Sequence, residues 1–377
     1  MKRIVQLLPY DIRQVGGIER HVRMLAIALH HLEHNDLKVI VAHRRRGHSW
    51  SMIDVASWDC GAHEDQTSTC GPNCVSHEEP FRLWEGDVLH IHGLARLGFA
   101  RLIRTIPTSV PIVLSTHGSY WSELEGVAGV RSMMRVGLDG VLTAPFLRRC
   151  AMILVASDAE RSIMEGLLRR DLICTPLRVQ PLPTAEVLLD SWSTVSRVNS
   201  GRLLAVGRQD RIKGFELLTE TILSNRDLPG CDIVGPAGNA TRALRRLSTQ
   251  GSSRVRLLPA VHDRSEMRRL FQQAKAVVVP SYFESFSLVA HEAIALDVPV
   301  IISEQACAAI PRSAVQTFPV GDSVSLAEQI RRLAIVGQSP ATRQARAYFR
   351  ANMIEPEVYA LKLMEIYRAV LRAAGDP

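Results

Sequence analysis

Lysine is scarce in this chain. Of 377 residues it occupies only positions 2, 38, 213, 275 and 362, so nearly all the positive charge is arginine. A lysine beside glycines, such as Lys213, is therefore easy to notice. Long apolar runs are missing too. Runs such as Ala276 to Pro280, after Lys275, have strand length and fall well short of the roughly 20 residues that span a bilayer. The start, MKRIVQLLPYDIRQVGG, passes from a short apolar run directly to charge and glycine. It has no extended apolar core and no small-residue cleavage site, so it reads as a first buried strand and not as a signal peptide. A cytoplasmic protein is expected. No zinc-finger, RNP or other nucleic-acid module accompanies the formal charge of +7. Nucleic acid is thus not an expected partner, and phosphorylated substrates or anionic lipid are favoured. The seven cysteines are odd in number and scattered, which in a cytosolic protein argues against a disulfide framework. Cys150, Cys174, Cys231 and Cys307 lie in or beside apolar segments and read as small core residues.

What is present is a repeated strand-then-helix pattern. KRIVQLL, LKVIVAH, DVLHIHG, PIVLSTHG and AMILVAS form one series, and RLLAVGR, CDIVG, VRLLP, AVVVPS and VPVIIS a second after residue 200. Continuous Val/Ile/Leu strands alternating with amphipathic helices indicate parallel sheets covered on both faces. Two series predict two Rossmann-like α/β domains, residues 1–184 and 199–355, joined through the strandless PLPTAEVLLDSWSTVSRVNSG. The helical stretch 356–377 is expected to pack back on the first domain. Ligands of such sheets bind at the carboxyl ends of the strands, so polar residues that directly follow strands are the candidates.

Three such places stand out. Gly16 and Gly17 lie between the first strand and a helix, where glycine admits a close approach and helix amides favour an anion. They are not part of a GxGxxG, and no GxGxxG follows either first strand, which argues against an NAD-dependent oxidoreductase. Gly207 to Gly214 follows the first strand of the second series and carries Arg208 and Lys213, able to converge on one diphosphate. Pro280 to Glu292 runs strand, polar aromatic loop, helix. Glu284 sits in the loop and Glu292 about one turn into the helix, and carboxylates suit vicinal hydroxyls. Amides near Ser287 and Leu288 open that helix and suit phosphate oxygens.

These residues together resemble the family 4 glycosyltransferases, which have the GT-B fold: two Rossmann-like domains whose parallel sheets face a central cleft. Glu284 and Glu292 match the family's pair of glutamates with seven residues between them; Arg208 and Lys213 match its arginine–lysine pair; Gly16 and Gly17 match its early glycine turn. THG at 116–118, VASDAERS at 155–162 and RVQPLPT at 178–184 extend the likeness over most of the chain. The resemblance implies that Arg208 and Lys213 bind the donor diphosphate and support the leaving nucleotide. It implies Glu292 on the ribose, Glu284 on the donor sugar, and His117 near the reacting centre. His90 and His92 are second choices. The implied reaction is retaining transfer of a sugar from a nucleotide-sugar, UDP-sugar favoured over GDP-mannose, to a glycan or lipid-linked acceptor of cell-surface polysaccharide or lipopolysaccharide synthesis. The nucleotide-sugar is a substrate, no cofactor is required, and the lack of any Asp-x-Asp predicts no catalytic metal. One departure is Pro181-Leu182-Pro183-Thr184, where the family often has Asn-Gly.

Two stretches suit other partners. Cys60, Cys70, Cys74 and His77 lie in an acidic stretch and offer three thiols and an imidazole to zinc, at a spacing that matches no common finger. Residues 130–150 mix apolar side chains with Arg131, Arg135, Arg148 and Arg149, a composition suited equally to peripheral contact with the inner membrane and to packing on the domain core. Two alternatives to the transferase stay open: a nucleotide-sugar 2-epimerase on the same fold, and a non-catalytic sugar-nucleotide-binding subunit.

Overall fold

The computed structural model describes residues 3–8, 17–32, 38–44, 50–55, 87–93, 106–118, 144–183, 201–249, 253–307, 309–336 and 339–375. Gly16, the set Cys60, Cys70, Cys74 and His77, and residues 130–143 lie outside the described residues. The chain forms two compact units, Met1–Pro183 with Ile354–Pro377, and Thr184–Met353. The helices are α1 (Gly17–Leu32), α2 (Asp158–Arg170), α3 (Phe215–Ser224), α4 (Thr241–Thr249), α5 (Arg264–Gln273), α6 (Leu288–Ala295), α7 (Ser323–Val336), α8 (Pro340–Ala351) and α9 (Pro356–Ala373).

The first unit is built on β1 (Arg3–Leu8), β2 (Lys38–Arg44), β3 (Trp50–Asp54), β4 (Val88–His92), β5 (Ile112–Ser115), β6 (Met152–Val155) and β7 (Leu177–Val179). Their order is β3-β2-β1-β4-β5-β6-β7. All neighbours pair in parallel except β2 and β3, which are antiparallel. Every residue of β4 and β5 is buried, as expected of strands covered on both faces. Helix α1 packs against α9, and the ring of Tyr359 on α9 meets His21 on α1 edge to face at 5.3 Å.

The second unit holds β8 (Leu203–Val206), β9 (Cys231–Val234), β10 (Val255–Leu258), β11 (Ala276–Val279), β12 (Val300–Ser303) and β13 (Gln316–Phe318). They run all parallel in the order β10-β9-β8-β11-β12-β13. Strands β9, β11 and β12 are buried throughout. In each sheet the chain starts in the middle and builds first to one side, then to the other. The reversal falls between β1 and β4 in the first unit and between β8 and β11 in the second. That is where an open α/β sheet leaves a crevice for ligand.

The three short or polar strands β3, β7 and β13 do not stand out in the sequence pattern. One expectation is corrected: Cys174 is exposed, whereas Cys150, Cys231 and Cys307 are buried as core residues. Cys174 follows the buried core residue Ile173 in the turn after α2, and its own side chain faces water.

Candidate active site

In the second unit the loops that follow β8 and β11 lie side by side, because their strands pair directly. After β8 the chain makes a single 3-10 turn, Arg211–Lys213, and reverses at Gly214 with φ +65. Here glycine is required. A Cβ at Gly214 would sit 2.1 Å from the carbonyl oxygen of Pro280. The loops are also laced by backbone, with the Tyr282 amide donating to Ile212 O at 2.8 Å.

This close approach brings two motif residues together across 71 positions. Lys213 Nζ lies 2.7 Å from Glu284 Oε1, and Ser281 Oγ donates to the same oxygen at 2.7 Å. The Ser303 hydroxyl in turn donates to the Ser281 carbonyl. Both charged side chains are largely withdrawn from water, Lys213 at 29% and Glu284 at 16% exposure. The ammonium is therefore held at the strand ends and keeps donors free for another anion. Arg208 is not drawn into this pair. Its guanidinium stands 44% exposed beside Asp210 at 3.9 Å.

Glu292 is buried on α6, at 3% exposure, so it is no surface carboxylate. Ser287 caps this helix, its hydroxyl accepting from the Ala290 amide at 3.4 Å. The Leu288 amide donates to Phe286 O at 3.0 Å and is thus engaged within its own turn. Next to Glu292, His291 stacks on Phe286 with centroids 4.0 Å apart and donates from Nδ1 to Ser287 O at 2.7 Å. Burial depresses its pKa to about 4, against the pull of that hydrogen bond.

In the first unit the two neighbouring strand ends on the β4 side of the reversal carry histidine. His92 closes β4 and His117 follows β5, and His92 Nδ1 lies 3.0 Å from His117 Nε2. His117 has φ +50, in the left-handed region. Glu160 holds this bend. Its carboxylate accepts from the Gly118 amide at 2.7 Å, the Thr116 hydroxyl at 2.6 Å and the Ala156 amide at 2.7 Å. Burial raises the Glu160 pKa, while these three bonds oppose the rise. Behind the pair, His92 Nε2 meets Gln6 Oε1 at 2.6 Å, Gln6 Nε2 donates to the Tyr367 hydroxyl at 3.2 Å, and that hydroxyl meets His90 Nδ1 at 2.6 Å. His90 Nε2 ends the chain on Ser115 Oγ at 2.8 Å. Burial, then the neighbouring His117, takes the His90 pKa down to about 3; burial alone takes His117 to about 4. At neutral pH these are uncharged imidazoles. Gly17 opens α1 at the surface of the same unit.

Of the sequence candidates, the structure thus joins Lys213 to Glu284 and His117 to His92, leaves Arg208 exposed, and buries Glu292. Sequence reasoning passed over His21, Gln6, Tyr367 and Glu160. A signal existed for His21: it repeats the helical spacing of Leu25 and Leu29 on the buried face of α1, where a polar side chain is unusual.

A two-unit α/β chain with a strand-order reversal in the middle of each sheet has the GT-B fold of the solved glycosyltransferases it resembles. Sucrose-phosphate synthase from Thermosynechococcus elongatus superimposes with a TM-score of 0.72, covering 99% of this chain and 100% of that one at 20% identity. An α,α-trehalose-phosphate synthase (UDP-forming) from Burkholderia vietnamiensis gives 0.59, covering 76% and 71% at 16% identity. A D-inositol 3-phosphate glycosyltransferase of Xylanimonas cellulosilytica is 36% identical over 110 residues, 28% of this chain and 26% of that protein. The match thus spans about a quarter of that curated relative. Residues 200–350 match the family described as Glycosyl transferases group 1. This matched segment carries Arg208, Lys213, Glu284 and Glu292.

Proposed function

We propose that the protein transfers a sugar, with retention of anomeric configuration, from a nucleotide-sugar to a glycan or lipid-linked acceptor in cell-surface polysaccharide or lipopolysaccharide synthesis. The observation that carries this reading is the Lys213–Glu284 pair at the sheet reversal of the family-matched unit. The ammonium neutralises the diphosphate as negative charge grows on the leaving group, with Arg208 swinging in from its exposed position as a forked second cation. Glu284 orients the Lys213 ammonium and accepts from a hydroxyl of the donor sugar. Glu292 takes the ribose hydroxyls, which calls for opening of its buried surround. In a front-face reaction of this kind the developing oxocarbenium needs electrostatic support more than a nucleophile. His117, neutral and with its bend fixed by Glu160, is the first unit's candidate to hydrogen-bond a sugar hydroxyl.

Uridine is favoured as the base, in line with the UDP-forming neighbour. The acceptor has a second reading. The names of all three relatives carry a phosphate on a sugar or cyclitol, which supports a small phosphorylated acceptor in place of a lipid-linked one. A thermal-shift panel of UDP, GDP and ADP sugars identifies the donor, because a ligand of the native state raises its melting temperature. Incubation of that donor with hexose phosphates, inositol phosphate and lipid-linked sugars then separates the two acceptor classes. No shift with any nucleotide-sugar overturns the transferase reading. Conversion of UDP-GlcNAc without acceptor replaces it with the epimerase.

A further inference from the structure

His21 is the most unusual polar residue of the first unit. It points from α1 into the core at 1% exposure, and neither ring nitrogen has a hydrogen-bond partner among the described residues. Buried polar atoms are ordinarily satisfied, so two orphaned nitrogens on one ring ask for an explanation. The ring instead faces two other imidazoles. The centroid distances His21–His117, His92–His117 and His21–His92 are 5.1, 5.3 and 5.8 Å, a nearly equilateral triangle. One nitrogen from each ring lies within 4.8 Å of the other two.

We propose that His21, His92 and His117 bind a divalent transition-metal ion of the zinc type. The tautomers fit. Gln6 Nε2 donates to Tyr367, so Gln6 Oε1 is the atom that meets His92 Nε2, and it accepts that N–H. The proton on Nε2 leaves the His92 Nδ1 lone pair bare and aimed at His117 Nε2. A hydrogen bond from the far nitrogen of a ligand imidazole is the usual device for fixing ring orientation at a metal. The 3.0 Å separation of His92 Nδ1 and His117 Nε2 is close to the roughly 3.3 Å between two nitrogens that share a tetrahedral zinc at about 2.05 Å. His90 stays outside the set, because Tyr367 and Ser115 occupy both its nitrogens. His117 is only partly buried while His21 and His92 are closed off, so an ion has an entry from the His117 side and a fourth position for water there. Imidazoles favour zinc, cobalt, nickel and copper over magnesium or calcium. The site shares His117 with the proposed transfer reaction, but the observations behind it do not rest on that reading.

The test uses the full chain, stripped with a chelator and titrated with Zn2+ and Co2+ by calorimetry and visible absorption. One ion per chain is expected, with the intense d–d bands of four-coordinate cobalt. His21→Phe keeps a ring of similar size in the same space and removes both nitrogens; it should weaken binding by on the order of 100-fold. If His21→Phe loses its near-ultraviolet dichroism, His117→Gln at the partly exposed rim serves instead, with the same expected loss. A joint variant with Cys60, Cys70 and Cys74 changed to Ser and His77 to Ala should bind as wild type does. The proposal is overturned if the wild-type chain binds neither ion, if the folded histidine variant binds as tightly as wild type, or if binding vanishes in the joint variant.

Discussion

Gly214→Ala is the sharpest probe of how the loops after β8 and β11 are built. Two costs add at this position. The left-handed φ of +65 costs an alanine about 1–2 kcal/mol. The new methyl also meets backbone, 2.1 Å from Pro280 O and 2.9 Å from Pro280 C, and no side-chain rotation relieves that. The loops must part by about an ångström, an overpacking cost of about 1–3 kcal/mol. The total is about 2–5 kcal/mol. Gly201 supplies the control. It has φ +75, and the space a Cβ would take there has no neighbour within 4 Å, so Gly201→Ala bears the first cost alone. Urea unfolding followed by far-ultraviolet dichroism gives the two losses. Hydrogen exchange of peptides from β8 and β11 assigns the transition to the second unit. Parting the loops also separates Lys213 from Glu284, so the same variant should weaken nucleotide binding, while Gly201→Ala should not. If Gly214→Ala costs no more than Gly201→Ala, the reasoning that joins the two loops through this contact is wrong.

Other consequences are equally open to measurement. Glu160→Ala strips the acceptor from two buried amides, of Gly118 and Ala156, while the Thr116 hydroxyl keeps Leu154 O at 3.3 Å. At about 1–3 kcal/mol for each group left unpaired, the first unit should lose about 2 kcal/mol or more in urea unfolding. Stability should also fall in mild acid. His90 and His291 take a proton near pH 6.5 when unfolded but only at about 3 and about 4 when folded, chiefly because of burial. Between those values the unfolded chain holds more protons, so stability rises with pH up to about 6.5 and is lost below it. At pH 5 each imidazole accounts for a loss of about 2 kcal/mol relative to pH 7. Unfolding measured from pH 7 to pH 5 in the presence of a chelator checks this, and a flat profile contradicts it.

How much was legible from sequence depended on the length scale of the signal. Strands such as AVVV and VIIS are continuous apolar runs because both faces are covered, and they are visible as such. Strands β7 and β13 are three residues long and carry Arg178 or Thr317. β3 pairs antiparallel at an edge, outside the strand–helix rhythm. A pattern that depends on several residues of one kind cannot register these. Glu284 and Lys213 were each visible as polar residues after a strand. Their ion pair was not, because it depends on β8 pairing with β11 and on the space that Gly214 leaves for Pro280. The histidine triangle was hidden for the same reason. His21, His92 and His117 come from three elements, and only the β1-β4-β5 order with α1 above it brings the rings together.

The central claim is that Lys213, poised by Glu284, holds the diphosphate of a nucleotide-sugar. Calorimetric titration of UDP, GDP and ADP into the wild-type chain and Lys213→Ala tests it directly. One of the three should bind the wild-type chain, and the variant should bind it about tenfold or more weakly, the worth of one charge-assisted contact to phosphate. Equal affinity in the two proteins, or no binding of any nucleoside diphosphate to the wild-type chain, would contradict the account.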